Sequence, residues 1–229
     1  MAFIIKESKV RVDEREIFQR EKVYTPFPSD ELVSFDRNEL IPIGVLSYSV
    51  FDSTITDEVL IAVPNLQGIP DGDYGAITYS FNSKCNEWRL DKGFLSDAKL
   101  EEQDVHLDNY KKALEFFDEN DFIIESGNKV PLFVIGGQPR FGQNWGAALY
   151  DELGDNPELD HYYEVTTNIN HPEFEYMSTR EIVYFDEEKE NEYIFLGSFR
   201  DIPYLDLAGC LMVFYQPELR KVMLAVEYD

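Results

Sequence analysis

Nine short runs rich in β-branched and aromatic residues recur along this chain, punctuated by glycine, proline, asparagine and aspartate: Val45 to Phe51, Val59 to Val63, Ala76 to Phe81, Leu132 to Ile135, Tyr162 to Thr167, Ile182 to Phe185, Tyr193 to Leu196, Leu211 to Tyr215 and Val222 to Tyr228. Runs of this length and composition suit strands, and punctuation this frequent leaves little room for long helices. The expected fold class is α+β, β-rich with a few helices. The clearest helix spans about Asp108 to Glu119. Asp108 is a candidate N-cap, Lys111 and Lys112 face Glu115, and Tyr110, Leu114 and Phe117 fall on one side, as packing on a sheet requires. A second helix is expected over Gln143 to Leu153, favoured by Ala147, Ala148 and Leu149 and ended by Gly154. The charged stretch Val12 to Arg20 reads as helical or irregular.

Two segments align with each other. One reads LIAVPNLQGIPDGDYGAITYSF from Leu60, the other YIFLGSFRDIPYLDLAGCLMVFY from Tyr193. Ile69-Pro70 falls on Ile202-Pro203 and Asp73 on Asp206; after a one-residue slip, Gly75 falls on Gly209. The proline fixes a turn and the glycine admits positive φ before the next strand, so each has a structural task in both copies. The organisation expected from this match is two related β-rich halves, residues 1–105 and 106–229, packed as one body.

Charge is distributed unevenly. The chain carries 45 acids against 20 Lys and Arg, a net −25, and between Asp151 and Glu192 fourteen carboxylates face only Arg180 and Lys189. Such a field repels nucleic acid and anionic membrane and speeds encounter with a basic surface. An acidic surface that serves only solubility would have the same composition. With 17 Phe and 14 Tyr, several of them among these acids, the region reads as folded surface rather than a disordered tail.

The first ten residues lack the apolar run of a signal peptide, and no window approaches the length of a spanning helix. Cys85 and Cys210 form neither a disulfide framework nor a zinc pattern and read as reduced and structural. No Asn-x-Ser/Thr acceptor occurs, which agrees with a cytoplasmic location.

Motifs that could carry chemistry are weak. His161 and His171 flank Glu164, and a site of these three is conceivable, but their spacing matches no known ligand pattern. Asp71-Gly72-Asp73 opens like a calcium loop, yet Gly75, Ile77 and Thr78 stand where oxygens are needed. Ser126-Gly127 and Gly197-Ser198 lack the flanking glycines of a nucleophile elbow. Gly136, Gly137 and Gly142 lack the Gly-Lys-Ser/Thr of a phosphate loop. No catalytic residue, cofactor or metal is expected. The aromatics beside acids, Tyr162, Tyr163, Tyr176, Tyr184 and Tyr193, suit either strand cores or a protein interface.

The run Val130-Pro131-Leu132-Phe133-Val134-Ile135-Gly136-Gly137-Gln138-Pro139 resembles the Gly-Gly-x-Pro element of the YwqG-like family, a domain of unknown function, with Phe141 and Gln143 approximating its continuation. Tyr193 to Gly197, and Asp206, Gly209 and the strand to Tyr215, resemble later family elements. Ser198 departs from the usual glutamine, the Asp-to-Gly spacing is one longer, and the preceding tryptophan is missing. The resemblance covers about residues 125–229. It implies an internally duplicated α and β body and an association with bacterial toxin and immunity clusters, and it brings no catalytic residues.

The leading functional expectation is a non-enzymatic immunity protein that binds and occludes a basic toxin enzyme, with Asp151, Glu152, Asp155, Glu164, Glu173, Glu175, Tyr176, Asp186, Glu187 and Glu188 as partner-binding residues. Two rivals stand beside it: an enzyme or small-ligand protein with a pocket between the two halves, and an acidic scaffold or adaptor with several weak partners.

Overall fold

The computed structural model describes residues 2–7, 12–65, 77–91, 104–139, 156–185, 191–200 and 209–228. In chain order the strands are β1 (Ala2–Glu7), β2 (Arg15–Ile17), β3 (Tyr24–Pro26), β4 (Leu40–Ser47), β5 (Glu58–Pro64), β6 (Ile77–Asn82), β7 (Glu87–Leu90), β8 (Ile123–Glu125), β9 (Asn128–Val130), β10 (Phe133–Ile135), β11 (Arg180–Phe185), β12 (Glu192–Arg200), β13 (Gly209–Gln216) and β14 (Lys221–Tyr228). The helices are α1 (Asp104–Asn120), α2 (Pro157–Thr166) and the single turn α3 (Phe174–Met177). The protein is β-rich with a few helices.

Nine strands form the main sheet, in the order β1-β11-β12-β13-β14-β6-β7, with β10 also paired to β12 and β2 to β10. Strands β3, β4 and β5 make a second sheet, and β8-β9 a small hairpin. All the ladders between these strands are antiparallel.

The near-continuous apolar runs of β13 and β14 follow from covering both faces of the sheet. Leu211, Val213 and Tyr215 of β13, with Val222 and Leu224 of β14, join a core cluster that includes the second sheet and α1. The alternate residues Met212, Phe214, Met223 and Ala225 join a second cluster, with Leu159, Tyr162, Val165 and Met177 of α2 and α3. Successive side chains of a strand point to opposite faces, so β13 and β14 separate a sheet-and-helix layer from a helical layer.

Strand β12 changes partner along one edge. Tyr193 and Glu192 pair with β11, whereas Gly197 and Ser198 pair with β10. Between them lies a bulge in the ladder to β13. Gly197 sits at the fork with φ +142°, and a Cβ there would lie 2.0 Å from the Val134 carbonyl oxygen. Only glycine lets the backbones come this close. Gly136 donates its N–H to the Leu196 carbonyl at 2.9 Å, locking the exit of β10 against the bulge.

Four local expectations change. Tyr162 to Thr167 belongs to a helix, not a strand. Tyrosine, valine and threonines favour β structure, but Asn156 and Pro157 start a helix whose apolar residues recur at the helical interval. The stretch from Val12 to Arg20 contains β2, because Arg15–Ile17 pairs with β10. The run ending at Phe51 leaves the sheet at Ser47 and enters a 3₁₀ turn over Tyr48–Val50. Cys85 is exposed in the β6–β7 turn, whereas Cys210 is buried in β13. Helix α1 forms as expected but begins at Asp104, and its Tyr110, Leu114 and Phe117 pack on the core. The second expected helix, over Gln143 to Leu153, lies outside the described residues.

The two aligned segments differ in pairing. Strands β12 and β13 are hydrogen-bonded neighbours, while β5 and β6 lie in different sheets. Most of the turn residues of both segments lie outside the described residues, and the pairing does not show a duplication. No helix among the described residues is long and apolar enough to cross a membrane.

Candidate functional site

The described part of the acidic region folds as a helical hairpin on the outer side of the main sheet. Asn156 caps α2: its side-chain oxygen accepts the backbone N–H groups of Glu158 at 3.0 Å and Leu159 at 3.4 Å. Pro157 occupies the first turn, where its missing N–H costs nothing, and Glu158 and Asp160 lie at the positive end of the helix. Leu159, Tyr162 and Val165 are buried against the sheet. The helix ends where Thr166 and Thr167 turn their hydroxyls back onto the carbonyls of Tyr162 and Tyr163, each at 2.7 Å.

The connection to α3 is tied by short-range bonds. Asn168 accepts the Asn170 N–H at 3.1 Å, and His171 Nδ1 accepts the Glu173 N–H at 3.2 Å. The Glu173 carboxylate lies 2.8 Å from His161 Nε2, and the two imidazole rings meet edge-on at 6.1 Å. Glu173 therefore joins the start of α3 to the middle of α2. An exposed pair of this kind fixes geometry more than it adds stability. At the far end the Arg180 guanidinium lies over the Tyr176 ring, 4.9 Å from its centre, and donates to its hydroxyl. Gln138, beside the two glycines that follow β10, donates to the Ser178 carbonyl at 2.9 Å and anchors the hairpin's exit.

This hairpin leaves apolar surface uncovered. Ile169 is 75% exposed, Tyr176 59% and Tyr163 47%; they are three of the seven exposed large apolar residues among those described, and all fall between Tyr163 and Tyr176. The same stretch carries the exposed acids Glu158, Asp160, Glu164, Glu173 and Glu175, with Arg180 the single Lys or Arg between Asn156 and Arg180. Of the ten sequence-expected residues, Glu164, Glu173, Glu175 and Tyr176 are exposed on the hairpin. Asp151, Glu152, Asp155, Asp186, Glu187 and Glu188 lie outside the described residues.

Among the aromatics weighed as interface groups, Tyr162, Tyr184 and Tyr193 are core, while Tyr163 and Tyr176 face solvent. Ile169 had no place in the sequence reading. Its signal was a lone β-branched apolar residue between two asparagines, in a loop where burial is not required.

The polar groups of this hairpin are largely engaged with one another. The Ser178 and Thr179 hydroxyls donate to the carbonyls of Glu175 and Tyr176, and the bonds of both imidazoles on this hairpin go to Glu173. Among the described residues no three His, Cys, Asp or Glu groups are placed to hold a metal ion, and it is Glu173 rather than Glu164 that meets His161. Compared with protein-family models, curated proteins and solved structures, the chain matches none.

Proposed function

We propose that this chain is a non-enzymatic, immunity-type protein that docks on a basic protein, a toxin enzyme, and blocks its working surface, acting in the cytoplasm. The observation that carries this reading is the coincidence, on one hairpin, of uncovered Tyr163, Ile169 and Tyr176 with five exposed carboxylates in the same stretch of chain. Exposed aromatics rimmed by charge are the usual composition of a binding hot spot, and the carboxylates are suited to a partner that handles anionic substrates. The net −25 adds long-range attraction toward such a partner. The likeness of Val130–Pro139 to the YwqG-like element, and the toxin and immunity clusters associated with that family, supports the same class. A duplicated ancestry of the two halves belongs to this proposal.

Co-expression with the product of the adjacent gene tests the proposal. One basic protein should co-purify at equal stoichiometry, and its activity should be lost in the complex. A neighbour that is not basic, or that remains fully active when mixed with this chain, contradicts it.

A further inference from the structure

On the other side of the main sheet, a cavity of about 340 Å³ opens between α1 and the segment joining β3 to β4. Its size falls within the roughly 300–1,000 Å³ range of small-molecule sites. It is independent of the hairpin: its wall residue Phe27 belongs to the cluster packed on Leu211, Val213 and Tyr215, not to that of Met212 and Phe214.

The cavity is lined by both apolar and polar groups. Phe27, Leu107 and Leu114 supply an apolar wall, and Tyr110, Asp30 and Arg37 line the polar mouth. Burial pushes the Tyr110 phenol up to about 12, so it remains an O–H donor at neutral pH. Phe27 has φ +48°, a conformation that bulky side chains rarely adopt. In that conformation its ring lies 5.7 Å from Tyr110 and 5.2 Å from Phe117, and its N–H is held by the Ile43 carbonyl at 3.0 Å. Strain of this kind in a cavity wall is found preferentially at ligand sites.

The ion pair at the mouth is lopsided. Arg37 Nε and Nη2 both donate to Asp30 Oδ2, the first at 2.8 Å. Asp30 Oδ1 and Arg37 Nη1 therefore have no hydrogen-bond partner among the described residues. Both side chains line the cavity and remain exposed, and a guanidinium together with a carboxylate can receive a carboxylate and an ammonium carried on one carbon.

We propose that this cavity binds a zwitterionic amino acid with an apolar side chain: its carboxylate on Arg37, its ammonium on Asp30, and its side chain against Phe27, Leu107 and Leu114. Such a ligand has no net charge, so the −25 of the chain does not repel it as it would a simple carboxylate. The inference stands apart from the partner-binding proposal and survives its failure.

Calorimetric titration of the full chain with L-phenylalanine and L-leucine tests the assignment, with 3-phenylpropionate and 2-phenylethylamine as probes lacking one charge each. The amino acids should bind saturably, and each probe at least about tenfold more weakly, the loss that follows from removing one charge-assisted contact. Arg37→Gln and Asp30→Asn, both at exposed positions, should each weaken binding by a similar factor. Leu114→Trp should fill the cavity and abolish binding. No saturable binding of either amino acid, equal binding of the single-charge probes, or full affinity in both surface variants would each overturn the proposal.

Discussion

The phenol of Tyr79 accepts the backbone N–H of Ala62 at 3.0 Å while donating its own proton to the Leu60 carbonyl at 2.8 Å. Tyr79 belongs to β6 of the main sheet and Ala62 to β5, the last strand of the second sheet. One buried hydroxyl thus takes the place of the missing neighbour strand along that edge and fastens the two sheets together. Replacing Tyr79 with Phe keeps the ring but orphans a buried donor and a buried acceptor. The expected cost is about 2–4 kcal/mol, read as a fall in the midpoint of urea unfolding with unchanged slope.

Burial raises several phenols at once. Tyr48, Tyr110 and Tyr162 are pushed up to about 12, and Tyr79 and Tyr215 further still, the latter also by its 2.8 Å bond to the Asp57 carboxylate. Each native phenol keeps its proton at a pH where the unfolded chain releases it. Their contribution is therefore fully present below the ordinary value near 10 and is lost as pH rises above it. Tyr79, wholly buried, accounts for about 1.4 kcal/mol per pH unit by itself. In an alkaline titration, phenolate absorbance from these five should be absent near pH 10 while the folded circular dichroism signal persists. Ionisation near 10 with the fold intact would contradict the packing described.

At the β12 fork, Gly197→Ala drives a methyl into the Val134 carbonyl and is expected to cost more than about 4 kcal/mol, or to prevent folding. Gly127→Ala is the matched comparison. Gly127 also has a positive φ, +81°, but open space around it, so only the conformational cost of about 1 kcal/mol should be seen. Thermal or denaturant melts of the two variants separate steric from conformational effects.

The exposed residues of the hairpin should be dispensable to the fold. Ile169→Ser and Tyr176→Ala are expected to leave stability within about 0.5 kcal/mol, because neither side chain is buried. Unfolding midpoints check this. A large loss from Ile169→Ser would place that residue in a core.

The strand runs were legible because both faces of β13 and β14 are covered, so Leu211 to Tyr215 and Val222 to Val226 read as apolar without interruption. Helix α1 was legible from the spacing of Tyr110, Leu114 and Phe117, though it starts at Asp104 rather than at the expected cap Asp108. Strands β2 and β3 were not: each has three residues, and β2 exists because Ile17 and its neighbours find β10 far along the chain. The α2 segment was misread because Tyr162, Tyr163, Val165, Thr166 and Thr167 favour strands residue by residue, while the decisive cap, Asn156 with Pro157, lies just before them. At the candidate site, the acids and Tyr176 were visible in sequence. The outward position of Tyr163 and Ile169 depends on where the hairpin sits on the sheet, which composition does not encode.

The most direct test of the docking proposal is the affinity of the purified chain for the product of the adjacent gene, measured by surface plasmon resonance for the native protein and for the triple replacement Tyr163→Ala, Ile169→Ala, Tyr176→Ala. The proposal predicts salt-sensitive association and an affinity loss of at least about 100-fold in the variant, most of it through faster dissociation. Equal affinity of the native and triple-variant proteins would contradict it.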